Sequence, residues 1–114
     1  MSSIETVRLG DIAVIDMGSR KLSGEKEDYL LWKEVETVLA SGVKKIVLDL
    51  SRVKWSNSTG IGIMISAWTM AQKEKSELVV VVNSKRLSDI FKVTNLKLIL
   101  RMYDTLDEAL AALK

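Results

Sequence analysis

The chain reads as an α/β domain: a mixed, mostly parallel sheet of about five strands, the first antiparallel, with four helices in the order ββαβαβαβα. Three observations predict this. Ile46-Val47-Leu48-Asp49-Leu50 and Leu78-Val79-Val80-Val81-Val82 are near-continuous apolar runs, the pattern of strands covered on both faces. Segments of helical apolar period alternate with these runs, which implies parallel pairing through right-handed crossovers. Two short segments at 4–9 and 12–17 flank the turn pair Gly10-Asp11, so a β-hairpin opens the chain and makes its first strand antiparallel.

In the first segment Ile4, Thr6 and Arg8 alternate with Glu5, Val7 and Leu9, a short strand; the second is apolar throughout. Residues 18–24 are polar apart from Leu22 and read as a loop. A helix is expected to begin near Ser23 or Gly24, with Glu25, Glu27 and Asp28 suited to the positive end of its dipole. Leu31, Val35, Val38 and Leu39 share one face of it, and Gly42 ends it. Trp32 stands off that stripe, either flanking the core or facing a partner. After the strand at 46–50, Ser56, Asn57, Ser58 and Thr59 lie at the mouth of a second helix. Its stripe is Ile61, Met64, Ile65 and Trp68, and it fades into a solvated end at 72–76. The valine-rich strand follows, and Asn83 or Ser84 caps a third helix with Leu87, Ile90 and Phe91 inward and Asn95 as terminator. Leu98 to Leu100 or beyond is expected to form a last short strand. Thr105-Leu106-Asp107-Glu108 is a capping box, and Leu106, Ala109, Leu110 and Leu113 give the final helix its apolar side.

A length of 114 residues suits one domain spanning 1–114 with its own core. The 47% hydrophobic and 28% charged content is ordinary for a soluble globular protein. A net charge of +2 with scattered basic residues does not fit a nucleic-acid binder, which concentrates basic charge with stacking aromatics. With no Cys and no His, thiol nucleophiles, the usual zinc sites and Ser-His-Asp catalysis are excluded, and neither a cofactor nor a metal is expected. Residues 1–10 carry no apolar core of signal-peptide length and no run approaches membrane-spanning length. A cytoplasmic protein without membrane insertion is the expectation.

The chemistry concentrates at the second helix mouth. As a nucleophile Ser58 would need a base, and the nearest lysine in sequence is Lys54, a weak pairing. As a phosphate acceptor it is better placed, because a helix N-terminus offers unpaired N–H groups and partial positive charge. A phosphoserine carries about −1.5 to −2 charges, enough to disfavour an apolar or acidic partner while leaving the fold intact. The alternative is that Ser58 merely caps its helix. Gly60 and Gly62 each cost roughly 1 kcal/mol against alanine in a helix, which close approach to the sheet or to a partner backbone would offset. They lack the third glycine and the Lys-Ser or Lys-Thr of a phosphate-binding loop. Asp16, Asp49 and Asp104 fall near strand ends, where aspartate serves turns and caps; an enzymatic reading would need them to converge.

Residues 46–51, then Asn57-Ser58-Thr59-Gly60-Ile61-Gly62, then Val79-Val80-Val81-Val82-Asn83, resemble the STAS family of sulfate transporter and anti-sigma factor antagonist domains. The closing segments 87–95 and 105–110 are similar to the family's tail, so the resemblance covers essentially the whole chain. It implies a stand-alone bacterial antagonist that binds an anti-sigma factor with serine kinase activity and so frees a sigma factor for transcription. It further implies phosphorylation by that kinase and resetting by a serine phosphatase. The acceptor position matches Ser58, with Thr59 as the next hydroxyl, and the partner-binding stretch is Ser56, Asn57, Ser58, Thr59, Gly60 and Ile61. The family usually has aspartate before the acceptor; Asn57 can still cap but carries no negative charge. The alternative within the family is a scaffold or sensor subunit, of a signalling or transporter-associated complex, that is never phosphorylated.

Overall fold

The computed structural model describes residues 4–19 and 21–114. Strands β1 (Glu5–Leu9) and β2 (Ile12–Asp16) form the opening hairpin around Gly10, whose positive φ only glycine adopts freely. Then follow α1 (Leu30–Ala40), β3 (Lys45–Asp49), α2 (Ser58–Lys73), β4 (Glu77–Val81), α3 (Lys85–Val93), β5 (Met102–Tyr103) and α4 (Leu106–Leu113). The sheet order is β1-β2-β3-β4-β5, with β1 antiparallel and the remaining neighbours parallel. Both the predicted class and the element order hold.

Because strands β2 to β5 step across the sheet in chain order, right-handed crossovers put α1, α2 and α3 on one face. Helix α4 follows the last strand and covers the other face. The side-chain pattern obeys this division. Ala13, Ile15, Ile46, Leu48, Leu78 and Val80 join the three-helix core, whereas Ile12, Val14, Val47, Val79 and Val81 meet Ala109 and Leu113 of α4. This two-sided burial is the reason β3 and β4 read as unbroken apolar runs.

Two boundaries and one helix face differ from expectation. The first helix does not begin at Ser23 or Gly24. The Asp28 carboxylate, itself buried, accepts the backbone N–H groups of Ser23, Gly24 and Glu25 at 3.1–3.2 Å. That ties 23–25 into a turn, followed by a 3-10 turn at Lys26–Tyr29 before α1 opens. The last strand starts later than Leu98, at Met102. Leu96–Leu98 forms a 3-10 turn after Asn95 adopts a left-handed conformation, and Leu96 and Leu100 plug the core while Leu98 points outward. The apolar spacing there is that of a turn, and pairing resumes only at Met102. The inward face of α2 is Gly60, Ile61, Ile63, Met64, Ala67 and Ala71, with Ile65 and Trp68 half-buried at its margin. Trp32 flanks the core and donates Nε1–H to the Ile63 carbonyl at 3.2 Å. Arg20, in the predicted loop, lies outside the described residues.

Caps fall close to their predicted places. Thr105 accepts Glu108 N–H at 3.1 Å, Ser84 rather than Asn83 accepts Leu87 N–H at 3.3 Å, and Asn57 caps α2. Asp16 and Asp49 serve turns: each accepts the N–H two residues on, from Gly18 at 2.8 Å and Ser51 at 2.9 Å. Among the described residues no helix is long and apolar enough to cross a membrane, and no group of three or more acidic side chains converges as a metal site.

Candidate functional site at the mouth of α2

The site lies at the carboxyl edge of the parallel strands, where the chain leaves β3 and enters α2. Two segments build it. Leu22, alone among polar neighbours and fully buried, pairs with Ser56 in an isolated parallel bridge. Leu22 N–H donates to the Trp55 carbonyl and Asn57 N–H donates to the Leu22 carbonyl, both at 3.1 Å. Ser56 is buried, and its hydroxyl donates to the same Leu22 carbonyl at 2.9 Å, so that oxygen has both its lone pairs occupied.

Gly60 closes against this junction. A Cβ there would sit 2.0 Å from the Leu22 carbonyl oxygen and 2.4 Å from Ser56 Oγ, closer than atoms approach. The glycine is the condition for the first turn of α2 to lie on the 22–24 segment. Gly62 meets nothing within 4 Å and has no such role. On the other side of the contact Gly24, at φ +91°, leaves room for the Thr59 methyl group.

The N-cap is Asn57, in extended conformation. Its Oδ1 accepts Gly60 N–H at 2.9 Å, which directs its amide nitrogen to the Ser23 carbonyl at 3.1 Å. One side chain therefore caps the helix and clasps the neighbouring loop. An aspartate would keep the first bond and have no proton for the second. This is what the sequence could not show: the residue before Ser58 bonds a carbonyl 34 positions away.

With the cap assigned to Asn57, Ser58 is free of that duty. It is the first residue of α2, it is exposed, and its hydroxyl has no hydrogen-bond partner among the described residues. Thr59 is exposed beside it, whereas Ser56, Gly60 and Ile61 are buried. Of the six residues expected to meet a partner, Asn57, Ser58 and Thr59 form the surface and the other three build the floor. The first turn of α2 has no acidic residue, so no side-chain charge offsets the partial positive charge of that helix end.

A further part of the rim was not anticipated from the sequence. Half-buried Trp55 lines a groove of about 400 Å³ with Arg86, Asp89, Ile90, Val93 and Thr94 of α3 and its end. Ser84 Oγ reaches the Lys54 carbonyl at 3.4 Å, tying the start of α3 to the segment that leads into the mouth. The available signal was Val93, an apolar residue off the inward stripe of α3 and 82% exposed.

The sequence model of the STAS domain matches residues 4–109. A curated relative, the anti-sigma-B factor antagonist of Listeria monocytogenes, is 36% identical over 78 residues, covering 66% of this chain and 68% of its own. Among solved structures, an anti-sigma factor antagonist from Mycobacterium paratuberculosis superposes with a TM-score of 0.82 at 24% identity, over 96% of this chain and 92% of that one. The Bacillus cell fate determinant SpoIIAA, in its phosphorylated form, superposes with a TM-score of 0.73 at 14% identity, over 98% of this chain and 100% of that one.

Proposed function

The chain belongs to the STAS domain family, and from that membership we propose that it is an anti-sigma factor antagonist. It docks the mouth of α2 on an anti-sigma factor that is also a serine kinase, and phosphorylation of Ser58 ends the contact. A serine phosphatase restores it. The role is one of binding, not catalysis, and its setting is the cytoplasm.

The observation that carries this reading is the division of labour at the helix mouth. Asn57 holds the cap, so the Ser58 hydroxyl is exposed and structurally idle. A phosphate there meets the open N–H groups of α2, which favour an anion by roughly 0.3–1 kcal/mol per charge at an exposed site. The fold tolerates the modification, while a partner surface that fitted a neutral hydroxyl now faces about two negative charges. The relatives named as antagonists, and the similar SpoIIAA solved in a phosphorylated form, support the same reading.

Phosphotransfer tests it. The chain is incubated with the anti-sigma factor of its own organism and ATP, and the phosphorylated residue is located by mass spectrometry. Phosphate on Ser58, absent from Ser58→Ala, is the expected result; undiminished labelling of the Ala variant removes Ser58 from the account.

Asn57 favours a second reading, in which the same face docks a larger assembly as a scaffold without a phosphate switch. Its side chain is committed to two backbone partners and brings no negative charge beside the hydroxyl. Light scattering of the chain with candidate partners separates a large assembly from a small heterocomplex.

A further inference from the structure

The groove between Trp55 and α3 carries more chemistry than the switch needs. It is an open cleft of about 400 Å³ whose apolar surface comes from Trp55, Ile90 and Val93. Val93 is 82% exposed, and Leu98 in the following turn is 84% exposed. Isolated exposed aliphatics are unremarkable, but apolar side chains gathered along a cleft mark an interaction surface. The charged residues near it in the chain are mostly basic. Asp89, its only acidic lining residue, is paired with Lys85 at 3.3 Å. Arg86 lines the groove, Lys54 precedes Trp55 in the chain, and Lys92 and Lys97 lie in sequence on either side of the groove residues Val93 and Thr94. All four are exposed, and none of them is in an ion pair among the described residues.

We propose that this groove seats an acidic amphipathic segment of the partner, apolar side chains against Trp55, Ile90 and Val93, and carboxylates against Arg86 and the neighbouring lysines. Complementary charge selects the partner and speeds its encounter, and the buried apolar contacts hold it. The inference rests on the reading of the α2 mouth as a docking face and gives that face a chemistry. Trp55 is three residues before Ser58, so an acidic partner seated here approaches the position where phosphate would be added. Like-charge repulsion then supplies a physical reason for phosphate to end docking.

The test is a titration of the isotope-labelled full chain, followed by backbone and indole N–H resonances. The probe is a helical peptide of about 15 residues, leucines on one face and glutamates elsewhere. Its counterpart replaces every glutamate with lysine. The glutamate peptide is expected to shift the Trp55 indole and the amides of Ile90, Val93 and Thr94, and to weaken as salt rises. Arg86→Glu is expected to weaken it about tenfold, and Val93→Asp, at an exposed position that leaves the fold untouched, to abolish it. Equal or tighter binding of the lysine peptide, shifts centred away from α3, or no shifts with either peptide would overturn the proposal. None of these outcomes involves the Ser58 hydroxyl, so the proposal fails or stands separately from the phosphotransfer result.

Discussion

At the scale of single residues the site turns on two adjacent side chains with separate work. Asn57 makes the cap and the clasp, and Ser58 makes neither. Asn57→Ala removes both bonds and should lower stability by about 1–2 kcal/mol in urea denaturation. Asn57→Asp keeps the cap and loses the donor to the Ser23 carbonyl. Its signature should be local: faster amide exchange at residues 22–24, with the body of α2 protected as before. Unchanged exchange would mean that the amide does not hold the loop. Ser58→Ala, at an exposed position without a partner, should change stability by no more than about 0.5 kcal/mol. A larger loss would show that the hydroxyl is structural after all.

At the scale of elements, the two glycines of α2 separate close approach from chance. Gly60→Ala forces a methyl group into the Leu22 carbonyl and should cost about 2–3 kcal/mol or more, with the 22–24 segment displaced. Gly62→Ala meets open space in a helix and should instead raise stability by about 0.5–1 kcal/mol. Thermal melts of the two variants in opposite directions would confirm the asymmetry; parallel changes would refute it. The sequence makes such elements legible where burial imposes a period. The doubly covered strands, the stripe of α1 and the capping box of α4 were all readable for that reason. Where backbone meets backbone, no period exists. The bridge from Leu22 to Ser56 uses peptide groups, so only the lone leucine and the glycine at 60 hinted at it. The start of α1 lies later than the charge pattern predicts because Asp28, suited to a helix dipole, turns inward to three N–H groups. The start of the last strand is hidden because alternate leucines at 96, 98 and 100 serve a 3-10 turn as readily as a strand.

At the scale of the whole molecule, topology decides where function sits. Parallel strands β2, β3 and β4 deliver their carboxyl ends to one edge, where the 21–25 segment, the mouth of α2 and the start of α3 gather. These three segments are the ones joined by Leu22, Asn57 and Ser84. Ligand and partner sites of open α/β sheets gather at such edges. The core lies below it, between the sheet and its two helical layers, and does not depend on the exposed hydroxyl. Under the proposed function, a charge placed on Ser58 governs association while the fold stays as it is. The most direct measurement prepares the chain with phosphate on Ser58 and compares it with the unmodified chain, by calorimetric titration against the anti-sigma factor and by thermal melting. The account predicts binding lost or weakened at least about a hundredfold, with a stability change within about 1 kcal/mol. Undiminished binding of the phosphorylated chain, or binding lost only because the chain has unfolded, would contradict it.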